Sequence, residues 1–308
     1  MMSPMARYWK TIVAGVVAGM GCLQAGTISI PNSSFESPVS IFVDINIDAW
    51  QKGAKPAWFD ESGGFAWNQL TGIFKNPGPA SSDHLDNCDG NQAIWMFAIP
   101  EVELFQDYNS VDWNDPAPTH AFDARFESGK SYALSVAVNG GGGGMSNGAT
   151  MQICLYYRDA ASNKVTVAST WVTNTPDMFP NHTHLVDFEA RVPTVRAGEA
   201  HAGRNIGVRL LSTVPPQLQG GYWDLDNVRL TSVHEPRVTG AQLAGGQFQF
   251  AIESDPGLVF EILATTNVSL PASNWVRLGT VTNTAGVAPF SETQVPFGRR
   301  FYQARQVP

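Results

Sequence analysis

Between residues 131 and 233 apolar side chains recur at every second position, a period that suits half-buried β-strands and not helices. In 131–139, Tyr132, Leu134, Val136 and Val138 share one face, while Ala133, Ser135 and Ala137 share the other. In 151–157 the apolar set is Met151, Ile153, Leu155 and Tyr157. From 185 to 192, Val186, Phe188, Ala190 and Val192 point one way and Asp187, Glu189 and Arg191 point to water. Further runs at 93–98, 102–106, 165–173, 206–212 and 222–233 bring the count to about eight, the number that fits a two-sheet sandwich. The 29 Gly and 20 Pro supply the turns such a fold needs, and a charged fraction of 15% leaves little for long solvated helices. The glycine run 140–144 separates two strands and reads as a flexible loop, because no helix-forming stretch or Lys-Ser/Thr pair follows to make it a phosphate cradle.

Ahead of this region, Arg7 and Lys10 precede an apolar run at 11–23 that is shorter than the ~20 residues a membrane span requires. Residues 1–25 therefore read as a signal peptide, with Ala25 small at the cleavage position and Leu23 larger than usual at −3. Cys22 offers a lipidation alternative, although Gly19 and Met20 make a poor approach to it. Without residues 1–25 the chain keeps 17 basic against 27 acidic residues, net −10, which argues against nucleic acid as a partner. No later stretch is long and apolar enough to cross a bilayer as a helix. Export also permits disulfides: Cys88 and Cys154 either bridge, closing a loop of about 66 residues worth on the order of 4 kcal/mol, or remain separate thiols.

The pattern changes near His234-Glu235-Pro236-Arg237. Beyond it, Phe248, Phe250 and Ile252 share a face, followed by Phe260 and Ile262 and by strand-like runs at 275–281 and 301–304. The expected fold is thus all-β: an antiparallel jelly-roll sandwich over residues 26–233, then a small β-sandwich-like domain over 238–308.

The last strand of the larger domain carries an anomaly. In Tyr222-Trp223-Asp224-Leu225-Asp226-Asn227-Val228-Arg229-Leu230, position parity puts Asp226 on the face of Val228 and Leu230, towards the core. A carboxylate there needs a cation, an Arg or several backbone amides. Near the start, Asn32-Ser33-Ser34-Phe35-Glu36 supplies a second acid, and between the two lies an oxygen-rich turn, Asp83-His84-Leu85-Asp86-Asn87-Cys88-Asp89-Gly90-Asn91. Carboxylates with turn carbonyls form the ligand set that Ca²⁺ prefers.

The Asn-Ser-Ser-Phe-Glu opening, the Asp89-Gly90 turn, the phrase Glu127-Ser128-Gly129-Lys130-Ser131-Tyr132-Ala133-Leu134-Ser135-Val136 and the closing Trp223-Asp224-Leu225-Asp226-Asn227-Val228-Arg229-Leu230 together resemble the galactose-binding-like jelly rolls, which include the CenC-type carbohydrate-binding modules. The resemblance implies a structural calcium ion held by Glu36 and Asp226, with Asp89 as a third ligand; the bland alternative is a surface Glu36 and an Asp226 that caps amides. The tail, with Gly257-Leu258-Val259-Phe260-Glu261-Ile262 and Arg300-Phe301-Tyr302-Gln303-Ala304, is similar to a small β module at the C-termini of secreted proteins of Verrucomicrobia-like bacteria, with Gln303 where that module has Arg.

Sugar recognition uses flat aromatic rings beside polar side chains. Trp58, Trp67 and Trp113 lie in loop-like surroundings and Trp171 in a strand, which makes these four the candidate platforms; Trp50, Trp95 and Trp223 read as core anchors. No Ser, Cys or Thr sits at a constrained turn with an oriented His and acid, and the six His are scattered. The first expectation is an exported, non-catalytic module that binds glycan. The second follows from a resemblance to the cyanobacterial indole-terpenoid cyclases, calcium-dependent exported jelly rolls, and makes Asp224 the acid that donates a proton. The third is a structural surface protein without a small ligand.

Overall fold

The computed structural model describes residues 11–17, 26–112, 115–293 and 299–307. The signal-peptide reading and the Cys22 alternative fall mostly on residues outside these ranges; Thr11–Val17 is a strand running parallel to Arg299–Val307. The chain divides into two compact units, one of Thr27–Ser232 and one that combines Met1–Gly26 with Val233–Pro308. Among the described residues no helix is long and apolar enough to cross a membrane.

Thr27–Ser232 is an antiparallel sandwich. One sheet runs Val186–Val192, Lys130–Gly142, Tyr222–His234, Gln92–Phe97, Thr71–Lys75, Val43–Asp44, and the other runs Lys164–Thr173, Thr150–Arg158, Gly207–Ser212, Glu103–Gln106, Gln51–Lys52. Alternation fills the space between them: Leu134, Val136, Val138, Met151, Ile153, Leu155, Val192, Val208 and Leu210 form one apolar cluster with Phe35, Trp50 and Trp223. The second unit has its own core, in which Phe248, Phe250, Ile252, Phe260, Ile262, Tyr302 and Ala304 are buried.

Two local departures from strict alternation matter. A register shift between Leu155 and Tyr156 leaves Tyr157 packed on the core while also burying Tyr156 completely. Asn227 adopts a left-handed φ of 51°, and Trp223 and Leu225 before it reach the same core as Val228 and Leu230 after it. The inward parity expected for Asp226 is therefore corrected. It is fully buried, but with Asp224 it belongs to the outer face, where Ala93, Ala137, Leu85 and Leu185 build a second small cluster with Cys88 against it.

The glycine run is the second correction. The strand Lys130–Gly142 continues through its first three glycines, so this part is not a flexible loop. A Cβ at Gly140 would lie 2.8 Å from the Phe179 ring, one at Gly141 would strike the His182 imidazole, and one at Gly142 would strike the Tyr222 ring. These glycines let rings lie directly on the backbone. Gly142→Ala is expected to lower stability by about 1–3 kcal/mol through overpacking, whereas Gly63→Ala, whose Cβ meets open space, should stay within about 0.5 kcal/mol in the same denaturant titration.

Candidate functional site

Two sets of groups lie on the outer face of the sheet around the strand Tyr222–His234. The first is a clasp on the turn at 88–92. Glu36 Oε1 accepts the backbone N–H of Asn91 at 2.7 Å and of Gln92 at 2.8 Å. Asp226 Oδ2 accepts the N–H of Asp89 at 2.6 Å, and its Oδ1 accepts the N–H of Asn227 at 2.7 Å. Gly90, at φ 97°, is the residue that permits this approach, since a Cβ there would stand 2.5 Å from Glu36 Oε1. The opening segment and the closing strand thus grip one turn, and the three acids singled out in the sequence are brought together around Cys88.

No salt bridge among the described residues reaches Glu36, Asp89 or Asp226. Burial pushes the Asp226 carboxyl up to about 7, against the pull of the Asp89 and Asn227 amides and the Cys88 thiol. Burial also holds the Cys88 thiol well above its ordinary range, reinforced by the charges of Asp226, Glu36 and Asp89. Cys88 and Cys154 are both free thiols, so the disulfide alternative is not the one adopted.

These donors suit a hard cation in type and charge, yet several carboxylate oxygens face amides. Among the described residues no group of three or more His, Cys, Asp or Glu side chains is arranged to hold a metal. Amide capping of Asp226, the bland alternative, is the geometry seen.

The second set surrounds Asp224. It pairs directly with Trp95, which in turn pairs with Gly72, and a Cβ at Gly72 would overlap the Trp95 indole. Trp95 Nε1 donates to Gln69 O at 3.2 Å. Two register positions away Tyr222 faces Phe97, their ring centroids 6.2 Å apart, and Phe65 continues the row 5.9 Å from Phe97. Asn139, buried in the neighbouring strand, hydrogen-bonds Asp224 and donates its Nδ2 to His182 O at 2.5 Å.

Asp224 retains partial exposure as a residue. Burial nevertheless pushes its carboxyl up to about 7, with the Asn139 bond pulling the other way. Burial, then the charges of Asp224 and Asp83, raise the Tyr222 phenol. Trp95, read from the sequence as a core anchor, instead lies beside Asp224 with its indole over Gly72. The signal that pointed here was parity: Trp95 falls out of step with the core residues Ile94 and Met96.

Of the four candidate tryptophans, the described Trp58, Trp67 and Trp171 differ in their surroundings. Trp67 is buried, donating its Nε1 to Gly53 O at 2.7 Å, so its expected role as an open sugar platform is corrected to packing. Trp58 is 48% exposed, edge-on to Trp67 and bonded to Glu101 at 3.0 Å. Trp171 is 57% exposed and lies in a cross-strand row with Gln152, Leu211 and Glu103 on the other sheet. Trp113 lies outside the described residues.

The closing strand of the sandwich thus presents two carboxyls, one clasped by a turn and one paired beside Trp95. Residues 26–231 match the family model described as HpiC1-like, HpiC1 cyclase, and the chain belongs to that family. No curated protein matches the sequence.

Among solved structures, a cyclase from Fischerella sp. TAU is similar at 20% identity, covering 68% of this chain and 97% of that one with a TM-score of 0.46. The Stig cyclase Fisc from Fischerella sp. TAU, in complex with an indole ligand, is 19% identical, with 68% and 98% covered and a TM-score of 0.46. The CBM22-1 xylan-binding domain of Paenibacillus barcinonensis Xyn10C is 12% identical, with 60% and 85% covered and a TM-score of 0.32.

The raised carboxyls have a consequence for stability. In the unfolded chain Asp224 and Asp226 lose their protons near pH 4, and in the folded chain near pH 7. Over that window the folded state holds more protons, so stability falls as pH rises. In chelator the unfolding midpoint is expected to be higher at pH 5 than at pH 8. Asp224→Asn and Asp226→Asn should each flatten that slope, as read by thermal denaturation across the range.

Proposed function

We propose that the sandwich is an exported acid catalyst of the cyclase type, with Asp224 as proton donor to an electron-rich, largely apolar substrate seated against Trp95, Phe97 and Tyr222. The observation that carries this is a carboxyl held near neutrality beside aromatic rings, since a general acid works best when its pKa lies close to the working pH. Protonation of a carbon–carbon double bond places positive charge on the substrate. The faces of Trp95, Phe97 and Tyr222 are suited to stabilise it, at about 0.5–2 kcal/mol per ring. Asn139 positions the acid, and its Oδ1, a buried acceptor without a partner among the described residues, offers what a protonated carboxyl seeks. Membership of the HpiC1-like family supports the same reading.

We also propose that Ca²⁺ joins Glu36, Asp89 and Asp226. The ion would neutralise acids that no described cation reaches and would tie the opening segment to the closing strand. Addition of EDTA is then expected to lower the unfolding midpoint, and Glu36→Ala or Asp226→Ala to abolish that difference. An unchanged midpoint in EDTA contradicts the ion while leaving the Asp224 reading intact.

For catalysis, an alkenyl-indole substrate is expected to be turned over with a rate that falls as pH rises through about 7. Asp224→Asn should reduce turnover by about 10²–10⁴-fold at unchanged fold by circular dichroism. Full turnover in Asp224→Asn excludes the role.

The glycan-binding reading is favoured by a different observation, the exposed Trp171 in one row with Gln152 and Glu103. Polysaccharide binding lost in Trp171→Ala and kept in Asp224→Asn would make the outer face of that second sheet the working one.

A further inference from the structure

Sharing no residue with the Asp224 site, a cavity of about 210 Å³ is lined by Asp107, Arg125, Tyr156, Arg158, Arg204 and Asn205, with Tyr108 and Asn109 at its side. Three guanidinium groups gathered in a chain of net charge −8 need an explanation. Of the three, only Arg158 is held in a salt bridge among the described residues. Asp107, nearly fully buried, accepts the Tyr156 hydroxyl at 2.6 Å and Arg158 Nε at 2.7 Å, so its charge is matched by Arg158. Arg158 also donates to Ser162 O at 2.9 Å. Gly207 makes this arrangement rigid, because the Tyr156 ring lies where its Cβ would be.

Arg125 and Arg204 remain. Neither forms a salt bridge among the described residues, and the one side-chain bond of Arg125, to Gly203 O, is long at 3.5 Å. Their backbones are fixed against each other: Phe126 N donates to Arg204 O at 3.0 Å, Gly203 N to Phe126 O at 2.7 Å and Ile206 N to Ala124 O at 2.8 Å, with Arg125 bridged to Asn205. Asp159, the acid that interacts with Arg204, spends its oxygens on the Ala161 and Asn163 amides of its own turn. Two guanidinium groups that form no salt bridge among the described residues are thus carried on pinned backbone beside a polar-walled cavity.

We propose that this cavity binds the carboxylate of a small hydroxylated organic acid, of the chemical class of a uronic acid. Guanidinium forks match the planar carboxylate, while Asn109, Asn205 and Tyr108 supply partners for hydroxyl groups. The volume is below that of sites for drug-sized molecules and admits one monosaccharide-sized ligand.

The test is calorimetric titration of the full chain with glucuronate, with glucose and inorganic sulfate as comparators. Glucuronate is expected to bind, glucose not to bind, and affinity to fall as salt rises from 50 to 500 mM, on the order of the screening expected for exposed charges. Arg125→Ala and Arg204→Ala should each weaken glucuronate at least about tenfold; both side chains are exposed, and circular dichroism confirms the fold. Arg204→Lys, which keeps the charge and loses the fork, should fall between. Absence of glucuronate binding, equal binding of glucose, indifference to both Arg substitutions, or binding of sulfate in place of glucuronate overturns the proposal.

Discussion

Two carboxylates from opposite ends of the sandwich close on the amides of one short turn, and much of the outer face is organised around that clasp. Glu36 belongs to the opening segment and Asp226 to the last strand, yet their acceptors meet donors only a few residues apart, at Asp89, Asn91 and Gln92. Amide bonds to a charged acceptor contribute about 1.5–3 kcal/mol each when made and cost more when a buried partner is lost. The clasp also fixes where the turn lies, and with it Leu85 and Cys88, which cover the sheet beside Ala93 and Ala137. Complete burial of Asp226 without a basic side chain leaves two ways to relieve its charge, a proton or a cation, and both are experimentally separable.

The same local geometry creates the neighbouring site around Asp224. A left-handed Asn227 resets the alternation, so that Asp224 and Asp226 can share the outer face while Trp223, Leu225, Val228 and Leu230 all reach the core. Gly72 and Gly142 then act as floor tiles, one under the Trp95 indole and one under the Tyr222 ring. A carboxyl placed beside such rings loses hydration more than it gains from Asn139, and its affinity for a proton rises accordingly.

Strand periodicity made the architecture legible, since Val136, Ile153, Leu155 and Val192 point where a two-residue repeat says they must. It also marked Asp226 as a buried acid in need of partners. What it could not convey was the single irregular residue, Asn227, that moves this acid to the other face, because one αL position reverses parity without any change of composition. Nor did the glycine run announce itself: Gly140, Gly141 and Gly142 look like slack in a sequence and serve as contact surface in the fold. Trp67 failed as a platform because loop-like neighbours say nothing about whether a ring turns inward. The cavity of Arg125, Arg158 and Arg204 was beyond reach for a different reason, as its residues come from four distant segments and converge only through pairing.

With no cation bound, burial pushes both closing-strand carboxyls up to about 7. Carboxyl ¹³C NMR titration of the protein in chelator measures this directly, with Asp224→Asn and Asp226→Asn used for assignment. Two aspartate resonances that titrate near pH 7, each vanishing in its own variant, are the expected result; titration of every aspartate below about pH 5, as for unperturbed carboxyls, would contradict the account.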